Sequence, residues 1–400
     1  MKLRALILTV DIALALAACA PSVPPPAPPP GGPPLRISTA FCDAPANTDP
    51  FLNHVHYTDF TPLYPYVKPP PIESAELDQN IQQDLMDAFN AAPPSFRKEL
   101  CNLDGVYINR TGCNGHDPNT CGLDIDALNN SWGFRTISSP PHKYIATSLG
   151  LWTGPQGHAL LFGDFETGRL RALLERAAQT YLRLSGKKPP PNPHPPQTSA
   201  VSPNTSAISV LAALAHEFGH VLWYDTFVKR PGDEADTSQF CLNRGTFYPF
   251  GSWVNNVTVP NSDSANPRER WIGFGDILNN HPPDDVSISQ MASDLAQGQY
   301  PEAGELLYGI YSGTLPNGNS RPDKGPWASS LAAFSPVEDF VETYQFYVLK
   351  SANPPLDSLE FQISGKTGHF YNVARLWRNK PELRRKMKCF TDVFGGDLPP

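Results

Sequence analysis

The chain has no excess of basic charge, no long uninterrupted apolar run and no repeated CxxC pair. Each absence excludes something. A formal net charge of −8 offers no positive field to a phosphate backbone, so nucleic acid is not an expected partner. The most apolar stretch, Leu6 to Ala18, is interrupted by Asp11 and is too short to span a bilayer as a mature helix. Without paired CxxC spacings, a cysteine zinc site is not expected. Charged residues make up only 18% of the 400 and hydrophobic residues 40%, so a sizeable core can form. Wholesale disorder, a collagen repeat and a coiled coil do not fit that balance. No internal repeat is visible.

Proline and cysteine are what the chain does have, 45 and 7 residues respectively. Proline runs at roughly twice its usual share of about 5%. One cluster lies between Pro21 and Pro34 and another between Pro189 and Pro196. The remainder is scattered, which predicts few long helices and many ordered loops.

Lys2 and Arg4 precede the apolar stretch, so residues 1–18 read as a signal peptide. The sequence Leu16-Ala17-Ala18-Cys19 resembles the lipobox of bacterial lipoproteins, which implies lipidation at Cys19. An ordinary signal with an incidental cysteine is the plainer alternative. Residues 19–36 then form a proline-rich tether, extended as polyproline II, that lifts a domain off a membrane. Ala20 resembles the pattern that sorts lipoproteins to the outer membrane. The expected location is therefore outside the cytoplasm, anchored to that membrane by lipid. Residues 37–400 are expected to form a single domain with a loop-rich insertion at about 231–330. Six cysteines remain after Cys19, enough for up to three disulfides, and Cys113 with Cys121 is the favoured pair.

Local patterns place a few elements. Gly105 to Arg110 reads as a strand, and Lys143 to Ser148, continued by Leu149 to Trp152, as another. Thr167 to Leu184 has helical spacing with arginines on its outer face. The most legible helix runs from Ala207 to Tyr224, with Ser202 as a candidate N-cap and Pro203 at the first helical position. Its expected apolar stripe is Leu211, Ala215, Phe218 and Leu222. A further helix is expected from Ser335-Pro336 to about Lys350, buried along Val337, Val341, Tyr344 and Val348. Residues 374–389 read as a short basic helix.

The long helix carries His216-Glu217-Phe218-Gly219-His220, an HExxH sequence. Residues four apart share one helical face, so the two imidazoles can bind one Zn²⁺. Glu217 lies beside that face, placed to act as general base toward water activated by the ion. A chance occurrence in a chain of this length is on the order of one in a hundred. Two core-facing histidines are the alternative, but such a cluster without a metal is hard to satisfy. Trp223 and Thr226 stand where a metzincin has glycine and histidine, so the third ligand must come from elsewhere.

Ser335-Pro-Val-Glu-Asp-Phe-Val-Glu342 supplies the candidates. Glu338 and Glu342 are four apart, hence on one helical face. Glu338 could ligate the ion while Glu342 accepts a hydrogen bond from a ligand histidine. Ser335 and Glu338 also have the spacing of a capping box, which needs no metal. Asp339 and Glu342 are the substitute ligands.

HExxH at 216–220 with Glu338-Asp-Phe-Val-Glu342 resembles the gluzincin-type zinc metallopeptidases. It is similar to bacterial lipoprotein metallopeptidases that pair HExxH with a distal EDFxE segment. The resemblance implies an α+β zincin-like domain: a small mixed sheet, an active-site helix and a glutamate helix. It implies one catalytic Zn²⁺ held by His216, His220 and Glu338, with Glu217 as base and a protein or peptide as substrate. It also implies a strand beside the active-site helix along which substrate pairs, for which Tyr144 to Ser148 is the candidate. Tyr308, Tyr311 and Tyr344 are open choices for stabilising an oxyanion. A non-catalytic binding lipoprotein on the same scaffold and a zinc amidase acting on cell-wall peptides are the alternative functions. Weaker signals are His54-Val-His56, His194, and Asp124-Ile-Asp126 with Asn129 and Asn130; each more readily has an ordinary structural role.

Overall fold

Short runs of β-branched and aromatic residues build the main sheet. The structure is a computed structural model that describes residues 49–60, 69–121, 130–136, 138–169, 197–227, 328–329, 331–333, 336–362, 370–372, 384, 386–388 and 390–391. The helices are α1 (Asp49–Leu52), α2 (Gln79–Ala91), α3 (Pro94–Cys101), α4 (Ser206–Phe227) and α5 (Pro336–Ser351). The strands are β1 (Val55–Thr58), β2 (Gly105–Asn109), β3 (Trp132–Arg135), β4 (Lys143–Ser148), β5 (Gln197–Ser202), β6 (Ser358–Gln362) and β7 (Phe370–Asn372). This is the mixed helix and small-sheet architecture expected.

The first sheet has the order β1-β2-β4-β3. β1, β2 and β4 are mutually parallel, and β3 runs antiparallel at the edge. The second sheet, β5-β6-β7, is antiparallel. Every residue of β2 is buried, as a parallel strand covered on both faces should be. Side chains alternate between two layers. Val106, Ile108 and Ile145 join the main core with Phe89, Leu211 and Phe218. Tyr107, Tyr144 and Ala146 pack on the other face with Trp132 and Phe134.

α2 carries Ile81, Leu85, Ala88 and Phe89, buried at helical spacing. Two expectations are corrected. Leu149 to Trp152 does not prolong β4. It turns into a 3₁₀ segment, because Ser148 Oγ accepts from the Gly150 N–H at 3.1 Å and bends the chain. Ser202 is not the cap of α4 but the last residue of β5, paired with Ser358. A residue before proline is driven to extended backbone, which a strand can use and a helix cannot. The cap is Thr205, whose Oγ1 accepts from the Ile208 N–H at 3.3 Å.

Among the described residues, α4 is the central element. It packs against α2, α5, β3 and β4, so Ile208 to Gly219 is buried all round rather than along one stripe. α5 starts at Pro336 as expected and is likewise buried from Asp339 to Leu349. The helix expected over 167–184 is described only as far as residue 169, where helix already runs from 162. Its Arg169 is buried, not on an outer face.

Cys113 and Cys121 form a disulfide. Cys101 is disulfide-bonded as well. The expected signal peptide, tether, Cys19, Cys42, Cys241 and Cys389, the insertion up to residue 327, His194 and Asp124 to Asn129 lie outside the described residues. Ser335 also lies outside them, as does most of 374–389, where the described positions are helical. Among the described residues, no helix is long and apolar enough to cross a membrane.

Candidate metal centre

Helical periodicity puts His216 and His220 on one face of α4, with ring centroids 5.1 Å apart. α5 crosses this face closely because Gly219 stands at the crossing. A Cβ there would lie 3.1 Å from both Cα and Cγ1 of Val341. That approach lets the first turn of α5 reach the histidines. His216 Nε2 lies 3.6 Å from Glu338 Oε2, and His220 Nε2 lies 3.7 Å from Glu338 Oε1. The three ligand atoms fall within 4.8 Å of one another, the one such group among the described residues.

These separations exceed a hydrogen bond. Two donors about 2.0–2.1 Å from a shared tetrahedral ion sit about 3.4 Å apart, close to what is observed. Two imidazole nitrogens and one carboxylate oxygen are also a donor set suited to a borderline divalent cation. The group therefore fits a metal ion. The side chains of His220 and Glu338 are each 20% exposed and that of His216 only 3%, so the site opens on one side.

Glu342 holds the deep histidine. His216 Nδ1 donates to Glu342 Oε1 at 2.6 Å, which leaves Nε2 facing Glu338. The same oxygen accepts from Arg169 Nη2, and Ser329 Oγ donates to Oε2. Burial works against the Glu342 charge, but Arg169 and His216 hold its carboxyl down, to about 2. Burial presses His216 down while the Glu342 hydrogen bond and neighbouring carboxylates raise it, leaving it above the usual value. His220 is lowered by burial and by His216, which keeps it neutral and able to donate a lone pair. Glu217 is buried beside the ligands. Burial pushes its carboxyl up, with His216 opposing and Glu338 reinforcing, to about 8. A cation at the site would draw it back down.

The choice among the α5 acids follows from their partners. Asp339 points elsewhere: both its oxygens accept from Lys386 Nζ at 2.6 Å. Glu342 is occupied by Arg169, His216 and Ser329, as above. Glu338 is the acid that faces both histidines. Tyr344 is turned away from the ligands. It packs on Phe218, on the opposite side of α4, and on Phe96 and Phe390. Tyr308 and Tyr311 lie outside the described residues.

The strand candidate is corrected. Tyr144 to Ser148 is β4, paired with β2 on one side and β3 on the other, so neither of its edges is open. The strand beside α4 at the sheet edge is β3. A Cβ on Gly133 would lie 1.9 Å from the Glu217 carbonyl oxygen, so only glycine permits this approach. Arg135 Nε, 3.3 Å from Asp225 Oδ1, ties β3 to the far end of α4. Lys143 of β4 pairs with the same Asp225. Four residues with a glycine among them are too few for period-2 patterning, and Gly133 is the one hint the sequence holds. Arg169 and Ser329 also escape a reading by motif; Glu166-x-x-Arg169 is an unremarkable i,i+3 pair.

Among the described residues, His54 and His56 join no metal group. His54 is buried, with Nε2 bonded to the Leu103 carbonyl, and His56 sits beside Tyr107. Comparison of the chain with protein-family models, curated proteins and solved structures finds no match.

Proposed function

We propose that the chain is a zinc metallopeptidase of zincin-like architecture. His216, His220 and Glu338 hold the ion, and Glu217 is the general base. The reading rests on one observation above all. Two imidazoles from one helix and a carboxylate from another converge at ion-sharing distances beside a buried glutamate. A structural zinc site would not need that glutamate, which favours hydrolysis over a purely binding role.

A Zn²⁺ held there would supply Lewis acidity to polarise a carbonyl and to acidify water. The chain supplies the remainder. Glu342 and Ser329 keep the His216 ring from turning. Glu217 accepts the proton of the attacking water on its carboxylate and delivers it to the departing amine nitrogen. An extended peptide adds to β3, which among the described residues has β4 as its one strand neighbour. Lipidation at Cys19 and export to the outer membrane belong to the same proposal, and the Cys113–Cys121 disulfide suits an oxidising compartment.

The test is Glu217→Gln, which preserves shape and removes the base. Zinc should remain at one per chain while peptide hydrolysis falls by about 10²–10⁴-fold. A variant with the parental rate contradicts the mechanism. Running the assay on both peptide libraries and cell-wall peptides separates an endopeptidase from an amidase.

A further inference from the structure

We infer that Arg169 is a positioning residue of the metal centre, acting on His216 through Glu342. The inference rests on the reading of the His216–His220–Glu338 group as a metal site.

The helical segment at 162–169 reaches the centre through the fork of this side chain. Arg169 Nη2 donates to Glu342 Oε1, the same oxygen that accepts from His216 Nδ1. Ser329 Oγ occupies Oε2. Three donors on one carboxylate fix its plane, and the carboxylate fixes the ring. Arg169 is itself held. Nη1 donates to Glu166 Oε1 at 2.6 Å and to Gln345 Oε1 at 3.2 Å, and the guanidinium carbon lies 5.4 Å from the Phe165 ring centroid. Side-chain exposure is 4% for Arg169, 6% for Glu166 and 0% for Glu342.

Burying three charges in a helical core is not an efficient source of stability, since well-packed apolar side chains do as well or better. What the fork does provide is direction. With Glu342 locked, His216 keeps its proton on Nδ1 and aims Nε2 toward Glu338. Lysine could supply the charge at one point but could not span Glu166 and Glu342 together.

The experiment uses the full exported chain with Arg169→Gln, Arg169→Lys, Glu342→Gln and the Arg169→Gln/Glu342→Gln pair. Zinc affinity is read by chelator competition, and ligand geometry by the visible absorption of the Co²⁺ form. Arg169→Gln should weaken zinc by about 10–100-fold and shift the Co²⁺ bands. Arg169→Lys should recover part of both. The double variant should bind no more weakly than Glu342→Gln alone. Unchanged affinity and spectrum in folded Arg169→Gln overturns the inference, and so do losses that simply multiply in the double variant. If Arg169→Gln does not fold, Glu166→Gln loosens the same fork while retaining the arginine. It should weaken zinc in the same direction by a smaller factor, and no change overturns the inference. A parent chain that takes up neither Zn²⁺ nor Co²⁺ overturns the metal reading and this inference together. A parent that binds metal but cleaves no peptide counts against the proposed activity alone.

Discussion

Asp84 and Glu342 are both buried carboxylates that hold the Nδ1 of a histidine, His158 at 3.0 Å and His216 at 2.6 Å. Around Asp84 the remaining capacity is spent on structure. Its Oδ1 also accepts from the Ser206 hydroxyl at 2.8 Å, and its Oδ2 accepts from the Ala159 N–H at 2.6 Å. The result ties α2 to the turn before residue 162 and to the start of α4. The His158 side chain is 35% exposed, and no second ligand group converges on it among the described residues. Around Glu342 the histidine's other nitrogen lies 3.6 Å from Glu338 Oε2, and His220 Nε2 lies 3.7 Å from Glu338 Oε1, across the crossing of α4 and α5. The carboxylate–histidine pair is thus the common part. What distinguishes the second region is donor atoms held too far apart to bond one another and close enough to share an ion.

That contrast can be broken from either side. Glu338→Ala removes a donor and should cost more zinc affinity than the about 10–100-fold that follows loss of a supporting partner. Competition with a chelator measures it, and stoichiometric zinc at parental affinity would move the third ligand elsewhere. Asp84→Ala should do the reverse. Three groups lose their acceptor, so unfolding by urea should show a loss of about 2–3 kcal/mol with zinc content unchanged. Gly219→Ala probes the crossing itself. The added methyl, 3.1 Å from Val341, should cost about 1–3 kcal/mol and weaken zinc modestly by moving α5. Equal zinc affinity would mean that the helices yield without disturbing the ligands.

His54 provides the smallest effect and a third kind of histidine, buried against a backbone carbonyl. Burial lowers its pKa below the ordinary 6.5, against the opposing pull of the Leu103 hydrogen bond. The unfolded chain therefore takes up a proton before the folded one does. The stability this contributes is complete above 6.5 and is lost as pH falls from there toward the folded value. His54→Gln should flatten the fall in urea midpoint between about pH 7 and 5 by up to one proton's slope. An unaltered slope would assign the acid sensitivity to other groups.

Much of the centre was legible because its chemistry is local. HExxH needs only helical spacing, and Glu338 with Glu342 repeats that spacing on a second helix. β2, β4 and the Cys113–Cys121 link are legible for the same reason. What escaped depends on distant partners. Asp339 and Glu338 are adjacent acids, and only Lys386, 47 residues away, separates their roles. Arg169 reads as a surface residue until Glu342, 173 residues on, is beside it. Ser202-Pro203 looks like a helix start because the strand that claims Ser202 lies at 358–362. The all-round burial of α4 reflects four neighbours that a single stripe could not announce.

X-ray absorption at the zinc edge of the purified chain tests the central claim most directly. One zinc per chain, with scattering from two imidazoles and from oxygen at about 2.0–2.1 Å, is the predicted result. A chain without zinc, or a zinc environment of sulfur or of no imidazole, would contradict it.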